Sequence, residues 1–141
     1  MRKEKIAAEK LIEEFHTNCP FQIAREMGVD IQFERLKDTL GYFSTYKRMK
    51  TIHINQDIPE KKQIFVCAHE LGHVIRHPAT NTLFLKKNTL FSISKIEREA
   101  NQFAVELLLP DTLLYENQDV SLSHIAAMYG VPLELLYLKC R

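Results

Sequence analysis

Apolar side chains between residues 3 and 16 recur at Ile6, Ala7, Leu11, Ile12 and Phe15, with charges between them, which is helical periodicity. "NCP" at 18–20 interrupts the pattern, and Pro20 suits the first turn of a second helix running to Met27. "IAREMGV" at 23–29 closes on glycine followed by valine, which predicts a left-handed cap at Gly28. The period then changes. "DIQFERL", "LGYFSTYK" and "KTIHINQ" read as strands, with Tyr42, Ser44 and Tyr46 alternating with Phe43, Thr45 and Lys47, and "KRMK" supplies a turn before Thr51. Together they predict a small antiparallel sheet.

Pro59 opens the next helix and Pro78 ends it. Its apolar face is Ile64, Phe65, Ala68, Leu71 and Ile75, and it carries "VCAHELGHVIRHP" at 66–78. Residues 79–93 are mixed and polar, with one short strand expected around Leu83 to Leu85. Ser94 begins a strong helix, "SKIEREANQFAVELLL", stopped at Pro110, and two short helices follow, "LSHIAAMYG" and "PLELLYLK". "IAAMYGV" at 125–131 echoes "IAREMGV", although one shared helix ending is no repeat architecture. The expected class is α+β, with the sheet packed on the histidine-bearing helix and on the helix after Ser94. A single domain over 1–141 is expected, with a helical lead-in at 1–28 and a C-terminal helical unit at 118–141.

Composition narrows the function. The chain has 141 residues, enough for one sizeable core. Nineteen basic against eighteen acidic side chains argue against disorder and against a strongly electropositive surface for nucleic acid. Cys19, Cys67 and Cys140 form no CxxC pair, and an odd, sparse set points to a reducing cytosol. "MRKEKIAAEKLIEEF" lacks the apolar core and cleavage site of a signal peptide, and no apolar run is long enough to cross a bilayer. A cytoplasmic protein with no membrane contact is expected.

The candidate chemistry lies in "HELGH". On a helix, His69 and His73 fall about 40° apart, so both imidazoles can reach one zinc ion. Glu70 between them can act on water, which is the HExxH arrangement, and Gly72 is expected to leave room beside the metal. Such a site needs a third protein ligand. The extended pattern HExxHxxGxxH would put Gly at 76 and His at 79, but the chain has Arg76 and Ala79. His77 lies about 80° around the helix from His69 and reads as a helix-end residue. The later stretch "EREAN" offers Glu97 and Glu99. Glu97 shares a face with Asn101, which could hydrogen-bond a ligand from behind, whereas Glu99 points about 200° away. "SKIE" also fits a capping box between Ser94 and Glu97, so spacing alone leaves Glu97 open between cap and ligand. Cys67 is placed on the core side.

"HELGHVIRHP", followed by "LKKNTLFSISKIEREANQFAVELLLP", resembles the ImmA/IrrE family of zinc-dependent metallopeptidases. The likeness runs from about Gly41 to the C-terminal end, including "IAAMYGVPLELL"; the first 40 residues resemble the family only loosely. The resemblance implies a zincin-like fold, His69 and His73 as ligands of Zn²⁺, Glu70 as catalytic base and Glu97 as third ligand, with Glu99 as a lesser rival. It also implies peptide-bond hydrolysis, with a protein substrate such as a transcriptional repressor of a phage or mobile element, cleaved to relieve repression. The ion would polarise water and the scissile carbonyl, and Glu70 would move the proton. "TIHIN" is expected at a sheet edge that pairs with extended substrate. Tyr42, Tyr46, His53 and His124 are considered as oxyanion donors, and none is assigned. Two other readings stand beside this one. One is a zinc-binding interaction module with little turnover. The other is a helix-turn-helix built on "LSHIAAMYGVPLELLYLKC", whose second helix is poor in base-reading side chains.

Overall fold

The N-terminal helices form where the apolar period placed them, α1 over Arg2–Phe15 and α2 over Pro20–Glu26. The computed structural model describes residues 2–78, 85–86 and 94–139; Cys140, Ala79 and the predicted strand positions Leu83 and Phe84 lie outside them. Strands β1 (Asp30–Glu34), β2 (Thr39–Tyr46) and β3 (Met49–Asn55) follow, then α3 (Glu60–Arg76), a two-residue β4 (Leu85–Lys86) and α4 (Lys95–Leu108). The chain ends in α5 (Asp111–Glu116), α6 (Leu122–Met128) and a 3₁₀ helix over Leu133–Leu138. The short α5 was not expected from the sequence; it starts just after Pro110, whose fixed backbone angle suits a helix start.

The expected antiparallel sheet is instead mixed. Its order is β1-β3-β2-β4, with β1 parallel to β3 and the two other pairings antiparallel. The connection from β1 to β2 therefore passes β3. Asn55, at the end of β3, anchors that passage through hydrogen bonds from its side-chain amide to the Lys37 and Thr39 carbonyls, both at 3.0 Å. "TIHIN" is thus not an edge: β3 is paired on both sides, and a substrate strand could add only at β1 or β4 among the described residues.

Strand alternation turns Phe43, Ile52 and Ile54 inward, where all three are buried, and α3 lies against that face. One cluster of buried side chains runs from Ala8 on α1 to Leu138 in the 3₁₀ helix. Helix α4 packs along α3 and α1. The close approach of α3 and α4 depends on Gly72, since a Cβ there would meet Phe103 at 3.1 Å and the Ala100 Cα at 3.3 Å. The space at Gly72 therefore belongs to α4, and the expectation that it opens room for a metal is corrected.

The two echoing segments end alike. Gly28 and Gly130 both take positive φ, and Val29 and Val131 each donate a backbone bond of 2.9 Å back to Ala24 and Ala126. An ionic cluster, buried at Lys139 and Glu106 and exposed at Asp111, then fastens the C-terminal unit: Lys139 Nζ donates to Glu106 at 2.7 Å and to Asp111 at 2.9 Å, and Asp111 also meets Lys5 at 2.8 Å. No described helix is long and apolar enough to cross a membrane.

Candidate metal centre

The HExxH spacing puts His69 and His73 one turn apart on the buried stretch of α3, and their rings meet edge to face with centroids 4.8 Å apart. Helix α4 delivers Glu97 opposite them. One carboxylate oxygen, Glu97 Oε1, lies 2.9 Å from His69 Nε2 and 3.0 Å from His73 Nε2. Among the described residues, these three form the group of histidine, cysteine and acidic side chains whose ligand atoms could surround a metal ion. Phe43 on β2 and Phe65 on α3 wall the two imidazoles, with centroids 6.2 Å from His73 and 6.3 Å from His69.

Protonation suits a cation. Burial opposes ionisation of Glu97, but the hydrogen bonds and charges of His69 and His73 outweigh it and hold the carboxyl down at about 2. Burial also pulls His73 below its ordinary value, against the hydrogen bond to Glu97 that works to raise it. An ionised carboxylate facing neutral imidazole is the state in which lone pairs are free for a metal. Asn101 Oδ1 lies 2.7 Å from His69 Nδ1, a contact that fixes the ring with Nε2 turned toward Glu97. Donor atoms around a tetrahedral zinc, bound at about 2.0–2.1 Å, stand roughly 3.3 Å apart. The observed separations are a few tenths shorter, as expected for donors drawn together by hydrogen bonds.

Glu70 is completely buried beside this group, and neither of its carboxylate oxygens has a hydrogen-bond partner among the described residues. Burial first, and then the charge of Glu97, push its carboxyl well above the ordinary value. A buried acid with two unmet oxygens is costly unless something else comes to occupy them.

The remaining sequence candidates fall elsewhere. Glu97 turns to the histidines, so the capping-box reading gives way. Glu99 instead meets His77, whose Nε2 lies 3.3 Å from its carboxylate, and His77 is the C-cap of α3, with its N–H bonded to the His73 carbonyl. Tyr42 and His53 stack on the outer face of the sheet, Tyr46 is exposed at the hairpin and His124 is exposed on α6, which leaves the oxyanion role unassigned. Cys67 is fully buried, and burial pushes its thiol up, out of reach of reactive chemistry. The supposed recognition helix is the 3₁₀ turn, which buries Leu135 and Leu138 and exposes Leu133, Glu134 and Tyr137, none of them a cation. The signal for Phe43 was present in the alternation of β2; what it would face was not.

Known proteins show the same sequence pattern over much of the chain. A protein from Bacillus phage phi105, named uncharacterized immunity region protein 2, is 44% identical over 138 residues, spanning 96% of this chain and 87% of the relative. Metallopeptidase ImmA of Bacillus subtilis strain 168 is 40% identical over 85 residues, covering 57% of this chain and 49% of that protein. The profile of a peptidase family described as the IrrE N-terminal-like domain matches residues 24–141, and the chain belongs to that family.

Proposed function

We propose that this protein is a zinc-dependent endopeptidase whose substrate is a partner transcriptional repressor of a phage or mobile element. The observation that carries the reading is the convergence of His69 Nε2, His73 Nε2 and Glu97 Oε1 beside a buried Glu70 with two unmet oxygens. His69, His73 and Glu97 would hold the ion, and Asn101 would fix the His69 ring from behind. Two neutral imidazoles and one carboxylate leave a divalent ion a net positive charge, and nitrogen and carboxylate donors in this arrangement suit zinc.

Bound there, the ion supplies Lewis acidity toward water and the scissile carbonyl. The protein's own part is proton traffic and dryness. Glu70 accepts a proton from the attacking water at its carboxylate and returns it to the leaving amine. Its raised proton affinity suits both steps, because an acid of ordinary strength would hold the proton too weakly to deliver it. Phe43 and Phe65 restrict water around the imidazoles, which strengthens each charge interaction inside. The names of the relatives support a protease and a phage immunity setting, in which a repressor is the protein whose cleavage would change state.

The test is incubation of the purified protein with the regulator encoded beside it, read by gel. Fragments that vanish on chelation and return with zinc support the reading. Intact regulator held in a stable complex would favour the interaction module instead.

A further inference from the structure

We propose that Ser44, His53 and Glu34 form a second, metal-independent nucleophilic site, at which Ser44 accepts an acyl group from an activated ester. The three residues come from three neighbouring strands. In register, Tyr42 faces His53 across β2 and β3, Ser44 faces Thr51, and Glu34 faces Asn55 across β1 and β3. Alternation turns Phe43, Ile52 and Ile54 to the core, so Ser44, His53 and Glu34 share the outer face, on the opposite side of the sheet from α3.

Ser44 Oγ lies 2.8 Å from His53 Nε2, and His53 Nδ1 is hydrogen-bonded to Glu34 Oε2. An ionised carboxylate only accepts, so Nδ1 carries the proton and Nε2 is left to accept from the Ser44 hydroxyl. Tyr42 lies flat on the imidazole, with centroids 4.2 Å apart and planes 7° from parallel, which fixes the ring in that orientation. Nucleophile, base and orienting acid are therefore in sequence, each within hydrogen-bond reach of the next.

In the reaction, Ser44 Oγ bonds to the acyl carbon and its proton passes to His53 Nε2. The ester's carbon–oxygen bond breaks, and the leaving alcohol or phenol departs with its electron pair and takes up that proton. Backbone N–H groups of β2 and β3 are engaged in the sheet, so the site lacks the paired amide donors of an oxyanion hole. Each missing donor costs about 10²–10³-fold. That cost selects activated acyl donors such as aryl esters and makes the site a single-turnover acceptor. The proposal is independent of the metal centre and stands or falls separately from it.

The experiment incubates the full chain with p-nitrophenyl acetate, with and without chelator, and maps acetylated residues by mass spectrometry. The expected result is a stoichiometric burst with acetyl on Ser44, unchanged by chelation. Ser44→Ala should remove it, and His53→Gln should slow it by about 10²-fold. Glu34→Gln, at a partly exposed position, should slow it by about tenfold and serves as a second variant if His53→Gln perturbs the sheet. Acetyl groups confined to lysines, a Ser44 label indifferent to both variants, or a burst lost on chelation would each overturn the proposal.

Discussion

Helix α4 carries Glu97 near its start and Glu106 near its end, both buried, and their surroundings differ. Glu106 accepts from Lys139 at 2.7 Å, with both side chains 1% exposed, and Lys139 is shared with Asp111. That opposite charge is supplied by the chain itself. Around Glu97, two imidazoles point at one oxygen, and the neighbouring Glu70 has neither oxygen bonded. Removing a charge from water costs several kcal/mol, so a buried ion is tolerable only when compensated. In one cluster the compensation is internal; in the other a cation would complete it. Burial of charge does not by itself mark a functional site; what sets this cluster apart is two unmet carboxylate oxygens beside three converging ligand-type side chains.

The contrast can be tested from both ends. Glu70→Gln should lower regulator cleavage by about 10²–10⁴-fold, while zinc binding persists and the thermal midpoint does not fall. A parallel loss of stability would place Glu70 with Glu106 as a structural group. Lys139→Met should behave oppositely, costing about 3–5 kcal/mol by removing the buried cation that donates to Glu106. Denaturant unfolding measures that loss, and adding Glu106→Leu should recover much of it. A midpoint unmoved by Lys139→Met would show that the pair contributes nothing.

Asn101→Ala should weaken zinc binding by about 10–100-fold, as expected for a group that orients a ligand, and competition with a chromophoric chelator reads it. The smallest effect is at Asp111, whose carboxyl is held below its ordinary value by hydrogen bonds from Lys5 and Lys139. A depressed folded-state value means stability that is full above the ordinary carboxyl value of 3.8 and lost as pH falls through the lower folded value. Asp111→Asn should therefore cost at most about 1 kcal/mol at neutral pH, given its exposure. The gap between variant and parent thermal midpoints should close on acidification below that range.

Periodicity and punctuation made the helices legible. Pro59 and Pro78 bracketed α3, the HExxH spacing set its histidines on one face, and Glu97 with Asn101 followed from helical geometry once the resemblance was recognised. Pairing between distant segments was not legible. Nothing in "DIQFERL" says that β1 runs beside β3 in parallel, because that choice depends on a connection passing another strand and on which faces α3 covers. Lys139 with Glu106, and His77 with Glu99, are likewise charges far apart in the chain whose meeting is a product of packing. Ser44, His53 and Glu34 lie on separate strands, and only their register aligns them.

The missing side chain at Gly72 acts as a gauge between the helices that carry His73 and Glu97. With Phe103 and Ala100 at 3.1 and 3.3 Å from where a Cβ would lie, alanine would force α3 and α4 apart by a few tenths of an ångström. Metal–donor bond lengths for different divalent ions differ on that same scale. Gly72→Ala would therefore act as a shim that lengthens the reach between His73 and Glu97, and with an ion bound as proposed it would shift which ion is preferred without altering a proposed ligand.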